Sequence, residues 1–244
     1  MAKNDTGFVE ASRITLTVHQ DIEAEVGPIL KEIGVKNVFV ENARCVRQKM
    51  VRRFLGLPGL KVELSDSPNQ IFRFSVSRQA ASGIACRLIE QLGLQTPGRG
   101  SVFTQDLLEM SGAGVGEHEI PAPKFERLLE DLILITGIQN KSASGQTLFK
   151  VALRLGVGVP VVCAGIGTGI RDRLGLLRIT ISPEKELVYL MVPRHDASGL
   201  QRLLIEEGHL DRPGGGFIYQ TPIRVGMVDP LIRIGRQEHA QPAA

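Results

Sequence analysis

The sequence predicts an α+β protein built from two tandem ferredoxin-like units, each with the order β-α-β-β-α-β. Three observations carry that prediction. Residues 74–100 (FSVSRQAASGIACRLIEQLGLQTPGRG) recur as residues 190–216 (LMVPRHDASGLQRLLIEEGHLDRPGGG), at a constant offset of 116 and with 12 of 27 positions identical. A period this long exceeds solenoid repeats and marks a repeated domain. Short β-branched runs of period two alternate with apolar residues at helical spacing, and Gly, Pro and Asp clusters punctuate the boundaries in both halves.

In the first unit, residues 13–20 (RITLTVHQ) alternate polar and apolar side chains, as a strand with one buried face does. Asp21 is the expected N-cap of the helix that follows, on which Val26, Ile29, Leu30 and Ile33 share a face, and Gly34 ends it. Residues 36–46 read as the second strand. Arg44, Arg47, Lys49, Arg52 and Arg53 follow as a cationic loop with no acid among them. Residues 60–64 and 71–76 read as two strands joined by Ser-Asp-Ser-Pro-Asn, residues 79–92 as a helix, and residues 101–107 as the last strand.

The second unit restates this order: strand 132–136, helix 146–155, strand 157–163, a Gly-rich loop 164–175, strands 176–181 and 186–192 paired with each other, helix 198–207 and strand 217–222. Ile33-Gly34-Val35 matches Leu155-Gly156-Val157 at an offset of 122, so a net difference of six residues (122 − 116) falls in the loop after the second strand. The expected boundaries are 12–108 and 128–226, with a Gly- and Pro-containing linker at 109–127 and a C-terminal tail at 227–244.

The 244 residues suit two domains of about 110 residues each. Net charge is +3, which points neither to nor away from nucleic acid. Cys45, Cys86 and Cys163 are too few and scattered for a disulfide framework and read as core residues, which suits a cytoplasmic protein. No signal peptide and no apolar run of membrane-spanning length is expected. His19, His118, His195, His209 and His239 lack metal-ligand spacing, and His195 beside Asp196 reads as a surface pair. Neither GxSxG nor HExxH occurs, so an enzyme is not expected.

Two features invite a binding role. Gly98-Arg99-Gly100 and Gly214-Gly215-Gly216 sit between a helix end and a strand, where converging backbone N–H groups can cradle a phosphate and Arg99 or Arg212 can supply charge. The alternative is that these glycines only turn the chain. Ala164-Gly-Ile-Gly-Thr-Gly-Ile tempts a dinucleotide reading, but a strand pattern follows it where a helix is required. The cations at 44–53, interleaved with Met50, Val51, Phe54 and Leu55, read as a contact surface.

Residues 32–49 (EIGVKNVFVENARCVRQK), 98–103 (GRGSVF) and 214–222 resemble the PII signal-transduction proteins (nitrogen regulatory protein P-II), over about 13–107 and 130–224. That resemblance implies a PII-like, non-catalytic regulator: a homo-oligomer, most simply a trimer, binding an adenine nucleotide (ATP, ADP or AMP, with or without Mg) in clefts between subunits. It further implies that protruding loops meet a regulated partner such as a membrane transporter, with no direct nucleic-acid contact and no insertion in the membrane. Carried over by position, Gly98, Arg99 and Gly100, with Gly214, Gly215, Gly216 and Arg212, would hold phosphates, and Gln48 would meet the terminal phosphate and metal. Arg47, Arg52 and Arg53 in one loop, and Thr168, Arg171 and Arg173 in the other, would meet the partner. An enzyme on the same scaffold, or a structural or metal-handling oligomer of related shape, are the alternatives. Neither loop has a tyrosine to modify. Surplus apolar residues at Ile14, Leu16, Val38, Val40, Phe72, Phe74 and Val76 are a further reason to expect oligomers.

Overall fold

The computed structural model describes residues 9–52, 60–110, 128–140, 147–156, 158–167, 171–174, 177–180, 184–212 and 215–227. The expected linker and tail, and the tips of both outer loops, fall almost wholly outside these.

The first unit comprises β1 (Val9–His19), α1 (Glu23–Ile33), β2 (Phe39–Arg52), β3 (Leu60–Ser77), α2 (Ala81–Gln91) and β4 (Gly100–Met110). The second comprises β5 (Leu132–Asn140), α3 (Leu148–Arg154), β6 (Val161–Ile166), β7 (Arg171–Leu174), β8 (Leu177–Thr180), β9 (Glu184–Pro193), α4 (Arg194–Gly208), β10 (Gly216–Ile223) and β11 (Val225–Met227). Within one nine-stranded antiparallel sheet, β2-β3-β1-β4 and β6-β9-β5-β10 run in the same relative order.

Alternation sends Ile14, Leu16, Val18, Phe72, Phe74 and Val76 to one face, where α1 and α2 cover them. Ile133, Ile135, Val188, Leu190 and Val192 do the same beneath α3 and α4. The helices therefore coat one face of the sheet. The other face is covered by the sheet itself. Its two edges, β10 and β11, are consecutive pieces of one extended segment interrupted by Arg224. The first piece pairs with β5 and the second with β4. Sharing that segment turns nine strands into a closed ring of eight, with the helices outside.

The units also meet at β2 and β6, where Arg44 pairs with Val162 and Cys45 with Val161, and the Val46 amide donates to the Pro160 carbonyl at 3.1 Å. Arg44 clamps this seam. It reaches Asp66 at 2.8 Å and the buried Glu186 of β9 at 3.0 Å, and its guanidinium lies 4.9 Å from the Phe149 ring centroid.

Several expectations need correction. Asp21 does not cap a helix: it lies in a 3-10 turn (Gln20–Ile22), and His19 Nδ1 accepts from the Asp21 amide. Gly34 does end α1, at φ 83°. The cationic stretch is not a loop but the outer half of β2, in register with β3 as far as Arg52↔Leu60. Ser-Asp-Ser-Pro-Asn breaks nothing, because β3 runs unbroken from Leu60 to Ser77. Beyond His19↔Asn69, β1 no longer flanks β3, so Pro68 lies on a stretch with a strand on one side only, where a missing N–H is tolerated. In the second unit, β8 pairs with β7 rather than with β9, which pairs with β5 and β6. Finally, Ile14, Leu16, Phe72, Phe74 and Val76 are no surplus, since the helices bury them. Only Val38 and Val40 of that set stay exposed.

Candidate functional site

Closing the ring encloses a cavity of about 420 Å³. Eight strands leave an interior just wide enough for side chains or for one small ligand. The residues facing it alternate with those beneath the helices. From the first unit β1 presents Arg13, Thr15 and Thr17, β3 presents Ile71 and Arg73, and β4 presents Ser101, Phe103 and Gln105. From the second, β5 presents Leu134 and Thr136, β9 presents Tyr189 and Met191, and β10 presents Tyr219 and Thr221. Phe39, Cys45 and Val161 line it at the seam.

Four hydroxyl residues distinguish this cavity from an ordinary core. Thr15, Thr17, Ser101 and Thr136 are only 4%, 3%, 6% and 2% exposed, and all four line the cavity. A hydroxyl removed from water without a partner costs about 1–3 kcal/mol. A space that admits water or a ligand offers such partners.

Among the described lining residues, charge enters from the first unit alone. Arg73 forms an ion pair with Glu41, and its guanidinium lies 5.3 Å from the Tyr189 ring centroid. Burial pushes the Tyr189 hydroxyl above its ordinary pKa, against the opposing pull of Arg73. Burial likewise pushes the Cys163 thiol of β6 up to about 11. Arg13 Nη2 donates to Gln105 Oε1 at 3.5 Å, and Gln105 Nε2 donates across the closing seam to Thr221 Oγ1 at 2.9 Å. Beside it, Phe103, Leu132, Leu134 and Ile223 form an apolar cluster with Tyr189 and Met191 packed on it.

The glycine turns have a packing role. Gly100 has φ 149°, and a Cβ there would lie 2.0 Å from the Thr17 carbonyl oxygen. Gly216 has φ 130°, and its Cβ would lie 2.1 Å from the Ile138 carbonyl oxygen. The two contacts are equivalent: in both units the last strand starts hard against the first strand's backbone. That close approach requires glycine and explains why the pattern recurs. Gly215 is enclosed in the same way by the His209 and Arg212 carbonyls, and its amide donates to Arg212 at 2.8 Å. Gly98 also has positive φ, at 90°. Arg99 does not stand free for a phosphate, since Nε donates to the Leu92 carbonyl at 2.8 Å and Nη2 lies 3.5 Å from Glu25. Arg212 is exposed, and Gly214 lies outside the described residues.

Gln48 is not brought to these turns. It sits on β2 across from Leu64, whereas Gly100 is level with Val18, Gln70 and Asn42. Six residues of strand separate those levels, about 20 Å. Arg47 and Arg52 lie on the outer half of β2, across from Ser65 and Leu60, and Arg171 and Arg173 lie on β7, across from Thr180 and Arg178. Arg53 and Thr168 lie outside the described residues. His195 is an exposed partner of Asp196 at 3.2 Å, and the three cysteines are buried and form no disulfide. Among the described residues no helix is long and apolar enough to cross a membrane, and no group of His, Cys, Asp and Glu could hold a metal ion.

Sequence reasoning missed Arg13, Thr15, Thr17, Arg73, Thr136 and Tyr189. Their only signal is polar alternation on strands, and that pattern is the same whether a residue faces solvent or an enclosed space.

No family model and no curated protein sequence matches this chain. Solved structures similar to part of it include two of B. subtilis GlnK. One is B. subtilis GlnK in complex with ATP, 16% identical, covering 41% of this chain and 85% of that one with a TM-score of 0.34. The other is B. subtilis GlnK, 16% identical, covering 41% and 86% with a TM-score of 0.33.

Proposed function

We propose that this protein is a PII-like regulator without chemistry of its own, which holds a small-molecule effector inside its ring of strands and signals through two outer hairpins. The observation that carries the reading is the cavity with four hydroxyl residues buried in its wall. The hairpins share its walls. β2 and β3 contribute Phe39, Ile71 and Arg73 to the lining before continuing outward with Arg47 and Arg52. β6 and β9 contribute Val161 and Tyr189, and β7 with Arg171 and Arg173 lies beyond β6 in the chain. An effector that changes the spacing of the inner ends changes the outer ends, which are the surfaces assigned to a regulated partner.

An adenine nucleotide is the first effector to test, given the sequence resemblance to PII proteins; the ATP of the similar structure is bound to B. subtilis GlnK. The glycine turns, with Arg99 and Arg212, are the other location for it. The two units (12–108 and 128–226) are read as copies of one ancestral domain in a cytoplasmic protein. Self-association, where it occurs, is expected through exposed Val38, Phe39, Val40 and Ile166 rather than through a sheet face.

Calorimetric titration with ATP, ADP and AMP, with and without Mg, tests this on wild type, Arg99→Ala and Thr15→Leu/Thr136→Leu. Loss of binding in the cavity-filling variant with retention in Arg99→Ala supports the cavity. The reverse pattern places the nucleotide at the turns. Turnover of the nucleotide above background would point to an enzyme instead.

A further inference from the structure

The two halves of the cavity wall are equivalent in fold and opposite in chemistry. Arg73 and Tyr189 correspond through the offset of 116, and each is paired with the same inward threonine position, Thr15 on β1 and Thr136 on β5. Counting along those strands places Arg13 opposite Leu134 in correspondence. Both cations of the lining therefore come from the first unit, while the second presents Leu134 and Tyr189 at the same places. The cations are not equally engaged. Glu41 neutralises Arg73, but Arg13, which reaches solvent, has no carboxylate within 4 Å among the described residues and donates only to the neutral Gln105. One guanidinium without a carboxylate partner among the described residues thus stands at the solvent-reaching rim of a cavity whose far wall is aromatic and aliphatic.

We infer that the effector is an organic anion with an aromatic or apolar body, its acid group at Arg13 and Gln105 and its body against Tyr189, Leu134 and Met191. The inference rests on the cavity being the effector site. A guanidinium offers a fork that suits a carboxylate, sulfonate or phosphate. The hydroxyls of Thr15 and Thr136 on the cavity wall take the polar edge of the body, and the flat walls select for a ring.

The test uses two fluorescent probes with the same ring systems: 1-anilinonaphthalene-8-sulfonate, which is anionic, and N-phenyl-1-naphthylamine, which is not. Wild type is expected to bind both with one site per chain. Arg13→Gln should weaken the anion about tenfold, equivalent to about 1.4 kcal/mol, and leave the neutral probe unchanged. Arg13→Lys, keeping the charge, should recover most of that loss. Equal weakening of both probes, or unchanged binding of the anion, overturns the inference. Thr15→Leu/Thr136→Leu separates this from the underlying reading, since filling the cavity should exclude both probes. If that variant still binds both, the cavity is not the site. If it excludes both while Arg13→Gln discriminates neither, only the anion assignment falls. Should the double variant not fold, as judged by near-ultraviolet circular dichroism, Thr17→Leu intrudes from the same strand and is read in the same way.

Discussion

Placing an alanine at Gly100 tests whether the repeated glycines serve packing or a phosphate. At φ 149° an L residue is strained by about 1–3 kcal/mol. Its Cβ would sit 2.0 Å from the Thr17 carbonyl oxygen and 3.0 Å from the Val18 Cα, both backbone atoms that cannot swing aside. β4 would have to retreat by more than an ångström. That breaks the Val18↔Gly100 pair and the bond from the His19 amide to the Arg99 carbonyl, now 2.9 Å, at about 1 kcal/mol more. The expected loss is about 2–4 kcal/mol, a large part of the roughly 5–15 kcal/mol that holds a domain together. In urea, with a slope of about 3 kcal/mol per molar for a chain of this size, the midpoint should drop by about 1 M. Gly216→Ala should behave alike, since its Cβ meets Ile138 at 2.1 Å. If either variant keeps wild-type stability and loses only ligand affinity, the packing argument is wrong and the glycines belong to a phosphate site.

Other outcomes follow from the same structure. Gly27→Ala on α1, where a Cβ meets nothing within 4 Å, should stabilise the protein by about 0.5–1 kcal/mol in the same urea assay. Arg44→Ala leaves Glu186, 8% exposed, without its cation, and should lower stability by about 2 kcal/mol, less than for a fully buried pair because Arg44 is partly exposed. Glu186→Gln in that background should recover part of the loss. Cys163 is held neutral by burial, with its pKa pushed from 9.0 up to about 11. The folded state therefore keeps a proton that the unfolded chain loses between pH 9 and 11, so stability falls as pH rises through that window. The melting temperature should drop there, and Cys163→Ala should remove that part of the slope.

What the sequence disclosed depends on the range of the interactions involved. Element order was legible because it rests on local periodicity and on punctuation such as Gly34, and because the repeat at 74–100 and 190–216 doubled each signal. The outer half of β2 was not, since Arg47 and Arg52 have no strand-like pattern alone and are held by pairing with residues up to Ser65 and Leu60. Ser65–Asn69 misled for the converse reason: residues that favour turns were overridden by a continuous partner strand. Ring closure left no local trace, as Val225 and Thr104 lie 121 positions apart. The site went unseen with it. Arg13, Thr15 and Thr17 alternate as a solvated face would, and only closure makes that face an interior.

Closure by a shared segment also orders events in time. During synthesis the first unit can complete its helices and four strands once residue 110 has emerged, yet its β4 edge then has no neighbour on one side. Residues 102–104 must wait for 225–227 before that edge is paired. At about 5–20 residues per second, the delay is several seconds to about half a minute. Throughout it, an open strand edge and the uncovered inner face are available to other nascent chains. The last step of folding is thus a long-range one, of the kind that slows folding and favours misassembly. Within one chain the step joins one end of the sheet to the other. Between two chains the same pairing would exchange β11, giving a swapped dimer from unchanged contacts.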